Sequence, residues 1–197
     1  RNTLAMVAEF RTRNSDTPVV LMGYANPVEA MGYQAFAEQA ANAGVDGVLI
    51  VDLPPEESES LVALLAEYSI DLIFLIAPTT SDTRMQSICD KGSGYLYYVS
   101  LKGVTGAGHL DTAQVADNIA RIRRYSKLPV CVGFGIKDAD SARKIAEFAD
   151  GVVIGSAIVD EFAAFEADSK ALSNGNDELL HALHERFSAI ANALPGR

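Results

Sequence analysis

Basic residues, cysteines and long apolar runs are all scarce in this chain, and each shortage excludes a class of protein. The 197 residues include 16 Lys and Arg against 26 Asp and Glu, which gives a formal net charge of −10. A surface of that sign repels phosphate backbones, so we expect no binding to nucleic acid. No apolar run approaches the roughly 20 residues of a membrane span, and no signal peptide is visible.

Thiol and imidazole side chains are also few. The two cysteines, Cys89 and Cys131, occur in no Cys-x-x-Cys motif and in no metal-ligand spacing, which is typical of reduced thiols in a cytoplasmic protein. His181 and His184 stand three residues apart in a terminal helical pattern, where a metal ion would need further ligands. We therefore expect an exposed helix face there and no metal site.

Six short apolar runs predict buried strands. Most are continuous rather than alternating, as is typical of parallel strands covered on both faces. The runs span 18–24, 47–53, 71–77, 94–100, 128–134 and 151–156. Helical patterns lie at 29–44, 55–69, 80–92, 111–126 and 138–150. A polar stretch, 166–177, predicts a loop before a final amphipathic helix.

Strict alternation of strands and helices predicts a parallel α/β sheet, either open and doubly wound or closed as a (β/α)8 barrel. A barrel needs eight units in about 250 residues, and at about 30 residues per unit this chain is about two units short. An incomplete barrel would expose apolar strand edges, which proteins avoid. We therefore expect one TIM-barrel domain over 1–197, represented by its C-terminal six strand–helix units, with roughly two units preceding Arg1.

Small residues end the last two predicted strands. Gly133 and Gly135 occur in "VGFGI", and Gly155 and Ser156 occur in "GVVIGS". Ligands of parallel α/β proteins bind at the carboxyl ends of the strands, where backbone N–H groups and helix N-termini hold phosphates. Together with Gly106, these residues predict a phosphate site.

A further stretch, "SLKGVTGAG", is glycine-rich and follows the fourth predicted strand. Residues 100–108 are expected to form a mobile loop that closes over a ligand.

Longer phrases of the sequence resemble the family of tryptophan synthase alpha subunits. They are "LMGYANP" (21–27), "GVDGVLIVDLPPEES" (44–58), "IFLIAPTT" (73–80), "GYLYYVSLKGVTGA" (94–107), "VGFGI" (132–136) and "GVVIGSAIV" (151–159). These phrases span nearly the whole chain in the family's order and spacing. "VDLPPEE" and "GVTGA" are quite specific, whereas glycine-phosphate phrases alone fit many barrels.

The resemblance implies a lyase of tryptophan biosynthesis. The family cleaves indole-3-glycerol phosphate to indole and glyceraldehyde 3-phosphate by a retro-aldol reaction. It works in an α2β2 complex with a beta subunit that uses pyridoxal phosphate, and it needs no cofactor on the alpha chain. The expected location is the cytoplasm.

The resemblance also assigns roles to individual residues. The residues that match the family's phosphate site are Gly106, Gly135, Gly155 and Ser156. The residues that match its indole pocket are Met22, Leu49, Val51, Leu75, Tyr97 and Phe134, although Tyr97 also fits simple core packing. Thr105 matches the threonine of the closing loop, and Asn26 and Pro54 match positions that face the beta subunit. Asn26 before Pro27 also fits a simple turn.

One departure from the family concerns catalysis. The family's catalytic glutamate and aspartate belong to its second strand and the loop after it, which precede the region matched by this chain. No residue of 1–197 takes their place by motif, so we expect the chain alone to be inactive. Asp52 is the nearest carboxylate by location, and we expect it to anchor the "DLPP" turn.

Two alternatives remain open at this point. One is another phosphate-binding barrel, of the indole-glycerol-phosphate synthase or sugar-phosphate isomerase type, against which the "VDLPPEE" phrase argues. The other is a non-catalytic module that binds a beta subunit.

Overall fold

The structure of the chain is a computed structural model that describes residues 2–100, 111–133, 135–168 and 175–195. The chain forms two compact units. The first unit comprises Arg1–Tyr97 and Arg123–Leu128, and the second comprises Tyr98–Ile122 and Pro129–Arg197. No helix in the described ranges is both long enough and apolar enough to cross a membrane.

All six predicted strands are present, each shorter than the apolar run that predicts it. The strands are β1 Val20–Gly23, β2 Gly47–Ile50, β3 Asp71–Ile76, β4 Leu96–Val99, β5 Val130–Gly133 and β6 Gly151–Val153. The helices are α1 Asn2–Arg11, α2 Ala25–Met31, α3 Tyr33–Ala43, α4 Glu59–Glu67, α5 Asp82–Lys91, α6 Thr112–Ile122, α7 Ala139–Ala146, α8 Ser156–Asp168 and α9 Gly175–Ala193. A helix follows every strand, which confirms the predicted α/β alternation.

The strands of the first unit pair side by side in chain order. β1 and β2 are parallel, with Met22 opposite Leu49. β2 and β3 are also parallel, with Leu49 opposite Ile73. All four residues of β2 are buried, as expected of a strand covered on both faces. Full burial of a side chain such as Leu49 or Ile73 stabilises the fold by about 1.5–3 kcal/mol.

The prediction of one helix over 29–44 is wrong, because Gly32 divides it into α2 and α3. Gly32 has φ +85° and ψ 135°, a backbone conformation that residues with a Cβ rarely adopt. Its N–H closes α2 by donating to Val28 and Glu29, and its carbonyl accepts from the N–H of Phe36 at 2.9 Å. The chain therefore changes direction between two short helices.

Arg11 at the end of α1 contacts Gly44 at the end of α3. Gly44 is also the last residue of the helical pattern over 29–44. Gly44 is in the left-handed region with φ +86°, and an added Cβ would lie only 2.8 Å from Arg11 Cγ. Arg11 Nε donates to the Gly44 carbonyl at 2.8 Å, and its guanidinium pairs with Asp46. Asp46 in turn accepts from the N–H of Val19 at 2.6 Å. The start of β1 is thereby fixed to the ends of α1 and α3.

The second unit contains the parallel pair of β5 and β6, with Cys131 opposite Gly151. The Asp150 carboxylate accepts from the N–H of Val130 at 2.9 Å, which ties the start of β6 to the start of β5. α7 begins with a capping box: Asp138 accepts from the N–H of Ser141 at 2.8 Å, and Ser141 Oγ accepts from the N–H of Asp138 at 3.2 Å. These bonds satisfy backbone donors that the helix itself leaves free.

The predicted loop over 166–177 is shorter than expected. Residues 166–168 complete α8, and Gly175 already begins α9. Asp177 and Glu178 stand in the first turn of α9, where the positive end of the helix dipole stabilises carboxylates. Polarity at these positions therefore marks a helix start rather than a loop. Residues 169–174 lie outside the described ranges.

Candidate functional site

Four residues predicted for the indole pocket lie on one face of the first unit's sheet. The register places Met22, Leu49 and Ile73 in one row. Val51 and Leu75 follow two residues further along their segments, and alternate residues of a strand share a face. A Cβ added at Gly47, two residues before Leu49, would lie 2.8 Å from Ile73 Cδ1, which confirms that these alternate positions face the same way.

Tyr97 belongs to this face as well. Phe74 and Leu96 lie on the opposite face, because a Cβ at Gly92, just after α5, would be 3.4 and 3.5 Å from their side chains. Tyr97 follows Leu96 in β4 and therefore points away from α5, on the same face as Leu75. Tyr97 is buried, as either a pocket wall or a core residue would be.

The exposure of this wall differs between neighbouring strands. Leu49 is 1% exposed, whereas Met22, opposite it on β1, is 55% exposed and Val51, just after the end of β2, is 38% exposed. Covering their apolar surface would stabilise a bound apolar ring by about 25 cal/mol per Å² removed from water. Strand ends are also where ligands of α/β barrels bind.

Asp52 has a structural partner. Its Oδ1 accepts from the N–H of Ala25 at 2.7 Å, while the N–H of the preceding Val51 donates to the Gly23 carbonyl at 2.9 Å. The structural role expected for Asp52 is therefore present. The group that it anchors is the first turn of α2, across from its own "DLPP" turn.

The two residues predicted to face a beta subunit follow the ends of β1 and β2. Asn26 is exposed in the first turn of α2, so the alternative expectation of a simple turn is wrong. Pro54 is half-buried. The carbonyl of Pro55, next to it, accepts from Ser58 Oγ at 2.9 Å and from Lys91 Nζ at 2.7 Å. The segment that carries Pro54 is thus held by Ser58 at the start of α4 and by Lys91 at the end of α5.

Gly155 and Ser156 form the start of α8 in the second unit. The Gly155 carbonyl accepts from the N–H groups of Ile158 and Val159 at 2.9 and 3.2 Å, which places Gly155 at the N-cap. The first N–H groups of a helix lack partners within it and attract anions. Both residues are exposed, and a Cβ at Gly155 would meet no atom of the described residues within 4 Å. A ligand therefore has room to approach this backbone.

Gly135 follows the end of β5 and is also exposed. Its φ is +81°, a conformation in which a Cβ is strained. Glycine at this position therefore has a conformational reason, whereas Gly155 is not among the described glycines with positive φ.

Ser100 is a residue of this region that the sequence indicates only as the start of a loop. It is buried, its N–H donates to the Gly133 carbonyl at 3.1 Å, and its Oγ donates to the same carbonyl at 2.8 Å. The available signal is weak: a small hydroxyl residue that ends the apolar run "GYLYYVS".

Three predicted site residues lie outside the described ranges. They are Thr105, Gly106 and Phe134. The predicted closing loop, 100–108, lies outside them as well except for Ser100. The roles of these residues stay predictions.

Burial is the main cause of the raised pKa values of Tyr98 in β4 and Cys131 in β5. Burial raises the pKa of Tyr98 to about 12, with a smaller opposing effect from Arg121. Burial and then the charge of Asp150 raise the pKa of Cys131 to about 11. Both groups stay protonated at neutral pH, so neither serves there as a base.

The described Cys, His, Asp and Glu side chains form no group that could hold a metal ion. His181 and His184 are exposed, as the sequence predicts. His181 pairs with Glu185 of the same helix at 3.3 Å.

Comparison with known proteins supplies the family. The family model for the tryptophan synthase alpha chain matches residues 1–188. The tryptophan synthase alpha chain of Marinobacter nauticus is 51% identical over 192 residues, which are 98% of this chain and 71% of that protein.

Solved structures agree with the sequence match. Tryptophan synthase subunit alpha from Legionella pneumophila is similar with a TM-score of 0.84 and 40% identity, over 98% of this chain and 68% of that one. A chain of the tryptophan synthase α2β2 complex from Pyrococcus furiosus is similar with a TM-score of 0.81 and 34% identity, over 96% and 72%. These matches place the chain in the (β/α)8 barrel class predicted from its sequence and do not favour the alternative barrels. The chain belongs to the tryptophan synthase alpha chain family.

Proposed function

We propose that this chain binds indole-3-glycerol phosphate for the lyase reaction of its family, which yields indole and glyceraldehyde 3-phosphate. The observation that carries the proposal is in the second unit. There, Gly135 and Gly155 are both exposed, and each stands two residues after the end of one of two neighbouring parallel strands, with Gly155 directly before α8.

The phosphate is assigned to Gly135, Gly155 and Ser156, together with Gly106. The N-terminus of a helix carries about half a positive elementary charge, which favours a phosphate dianion. A Cβ at Gly155 meets no atom of the described residues within 4 Å, which leaves room at this backbone for a ligand, and the hydroxyl of Ser156 adds one donor. Hydrogen bonds to a charged phosphate are about twice as strong as neutral ones.

The indole ring is assigned to Met22, Leu49, Val51, Leu75 and Tyr97, together with Phe134. The described members of this set share one face of the first unit's sheet, and that face is exposed at Met22 and Val51. An apolar wall suits an aromatic ring, and the ring's own N–H needs a polar partner.

The chemistry requires proton transfers. Indole C3 gains a proton, and the glycerol hydroxyl next to the breaking bond loses one as the aldehyde forms. The electron pair of the carbon–carbon bond returns to the indole ring, whose nitrogen loses its proton and later regains it. Each well-placed acid or base contributes about 10²–10⁴-fold.

We assign binding and orientation, rather than proton transfer, to residues 1–197. No residue matches the family's catalytic glutamate and aspartate. Asp52 is engaged by the N–H of Ala25, and Tyr98 and Cys131 have pKa values far above neutral. Remote binding of the phosphate orients the reacting carbon, which raises the rate without any proton transfer by the groups that hold it.

The partner that we propose is a beta subunit carrying pyridoxal phosphate, with no cofactor on this chain and both subunits in the cytoplasm. The Pyrococcus furiosus relative occurs in an α2β2 complex. Asn26 is exposed, and the Asp52–Ala25 hydrogen bond joins its helix to the segment that carries Pro54. These two residues are therefore held on adjoining segments that one partner can cover.

The phosphate assignment is tested by Gly155→Val, measured by calorimetric titration of the complete protein with glycerol 3-phosphate. The new Cβ meets no atom of the described residues, but valine is a poorer N-cap than glycine, so the free energy of unfolding should fall by no more than about 1 kcal/mol. The side chain occupies the approach to the backbone, so binding should weaken by about 100-fold. Gly23→Val, at another glycine where a Cβ meets no described atom within 4 Å, is the control. Undiminished binding by Gly155→Val would refute the phosphate assignment.

A further inference from the structure

Two carboxylates join the segments next to β1 and β2, one at each end of this strand pair. Just before the strands, Asp46 accepts from the N–H of Val19 at 2.6 Å and pairs with Arg11. Two residues after the strands, Asp52 Oδ1 accepts from the N–H of Ala25 at 2.7 Å. Each bond spans 27 residues of the chain, and all the groups belong to the first unit.

The Asp52 carboxylate takes the place of a backbone acceptor. Gly23 stands opposite Ile50 in the parallel register, and the N–H of Val51 donates to the Gly23 carbonyl at 2.9 Å. If the parallel ladder continued, its next bond would run from the Ala25 N–H to the Val51 carbonyl. That N–H donates to the Asp52 side chain instead. The two backbones therefore stay joined after the ladder has ended.

Ala25 is the first residue of α2, and the acceptor for its N–H comes from the β2 side. Tyr24, at the N-cap, makes no side-chain cap, and tyrosine is not among the residues that cap helices well. The first N–H groups of a helix have no partner within it. Hydrogen bonds to a carboxylate are about twice as strong as neutral ones. Asp52 therefore fixes the start of α2.

The residues assigned to the beta subunit stand next to this bond on both segments. Asn26 follows Ala25 directly, and Pro54 stands two residues after Asp52. The strand pair itself is held by its backbone register and by Asp46. The Asp52 bond therefore acts beyond the strands, where it limits how far the two segments can move apart. Segments that are already ordered cost less free energy to bind a partner.

We propose that Asp52 is a positioning residue for the beta subunit, which acts through its hydrogen bond to the Ala25 N–H and so pre-organises the face that carries Asn26 and Pro54. This inference rests on the partner proposed above. The role requires no contact between Asp52 and the partner and no proton transfer by its carboxylate.

The experiment measures the affinity of the complete protein for the beta subunit of the same organism by surface plasmon resonance. Asp52→Ala should weaken this binding about three- to tenfold, the effect of one hydrogen bond. Asp52→Asn keeps the acceptor oxygen and should restore most of the affinity. Ala25→Pro removes the donor but keeps the carboxylate, and proline suits the first position of a helix. It should show the same loss as Asp52→Ala, and it replaces that variant if Asp52→Ala does not fold.

Asp46 provides a matched control on the same two strands. Asp46→Ala removes the carboxylate bond at their other end and an ion pair with it. Thermal unfolding should show a loss of stability at least as large as that of Asp52→Ala, whereas the affinity for the beta subunit should equal that of wild type. Glycerol 3-phosphate should bind all variants equally, because the described residues assigned to phosphate belong to the second unit.

Equal affinity of wild type and a folded Asp52→Ala or Ala25→Pro for the beta subunit would overturn the role of Asp52 and leave the partner standing. A loss in Asp52→Asn as large as in Asp52→Ala would also overturn it, because the charge would then act on the partner directly. An equal loss in Asp46→Ala would attribute the effect to general destabilisation, with the same consequence. A wild-type protein that binds no beta subunit would overturn the proposed partner, and the role of Asp52 with it.

Discussion

Two glycines four residues apart in "GVVIG" are present for different physical reasons. A Cβ added at Gly151 would lie 2.8 Å from Cys131 Sγ, whereas a Cβ added at Gly155 would meet no atom within 4 Å in the part of the chain that the structure describes. Gly151 therefore makes room for a neighbouring strand. Gly155 leaves space that the described residues do not fill, which is the pattern expected where a ligand approaches the backbone.

The packing role of Gly151 can be tested by substitution. Gly151→Ala should lower the free energy of unfolding by about 1–3 kcal/mol, because the new methyl group overlaps the Cys131 sulfur and forces a local shift. The measurement is urea unfolding of the complete protein, followed by circular dichroism.

A second substitution controls for the cause. In the Gly151→Ala, Cys131→Ala double variant the sulfur is absent, and the remaining Cβ of residue 131 is 3.7 Å away, an ordinary contact. Part of the loss should therefore be recovered, as a coupling of at least about 0.5 kcal/mol. Strictly additive effects would show that the two residues do not compete for this space.

At the scale of single residues, the sequence predicts which positions could form the site but not which hydrogen-bond partners hold them in place. The family resemblance, rather than alternation, assigns Met22, Leu49, Val51 and Leu75 to the indole pocket, and that role stays a prediction. The bond from the Ala25 N–H to Asp52 spans 27 residues and that from Ser100 to Gly133 spans 33. Such contacts depend on which strands become neighbours, and no local pattern records them.

At the scale of elements, α7 shows how a helix start depends on one carboxylate. Asp138 accepts hydrogen bonds from both the N–H and the hydroxyl of Ser141, and these bonds lower its pKa below the ordinary 3.8. A lowered folded pKa means that the stabilisation is present above the unfolded pKa. It is lost as the pH falls through the folded value.

The pH dependence of this cap is our prediction for α7. Asp138→Ala should lower the free energy of unfolding by about 1 kcal/mol at pH 6, the usual contribution of an N-cap. The difference from wild type should shrink below about pH 4, where the unfolded carboxyl becomes protonated. Asp138→Asn, which caps without titrating, should show a smaller and flatter difference from wild type. Urea unfolding at pH 6 and pH 3 measures these differences, and a pH-independent Asp138→Ala effect would contradict the assignment.

The elements themselves follow from the sequence where their pattern is strong. Continuous apolar runs such as 47–53 predict every strand, because a strand buried on both faces has few polar positions. The helix over 29–44 is predicted as one element because a single glycine is compatible with a helix interior. Only the positive φ of Gly32, which is a property of the folded chain, divides it. The end of α8 is missed because polar residues there resemble a loop.

At the scale of the whole molecule, the two units carry different proposed roles. The first unit contains the described residues assigned to indole and to the beta subunit, and the second contains those assigned to phosphate. We propose that neither unit contains the family's catalytic acid and base. Binding is therefore separate from proton transfer in our proposal, and only binding is assigned to residues 1–197.

The chain also offers a favourable optical background for testing this separation. It contains no tryptophan, so the fluorescence of an indole ligand is free of protein indole emission. Binding of an indole-3-alkyl phosphate that cannot be cleaved can therefore be followed directly. This titration establishes the concentration at which residues 1–197 are folded and saturated.

The most direct measurement is the rate at which saturated residues 1–197 release indole from indole-3-glycerol phosphate. We predict a rate below that of a complete family member by about 10²–10⁴-fold for each missing acid–base group. A rate close to that of a complete family member would contradict this prediction. It would show that the acid and base lie within this sequence, with Asp52 and Tyr97 as the first residues to substitute.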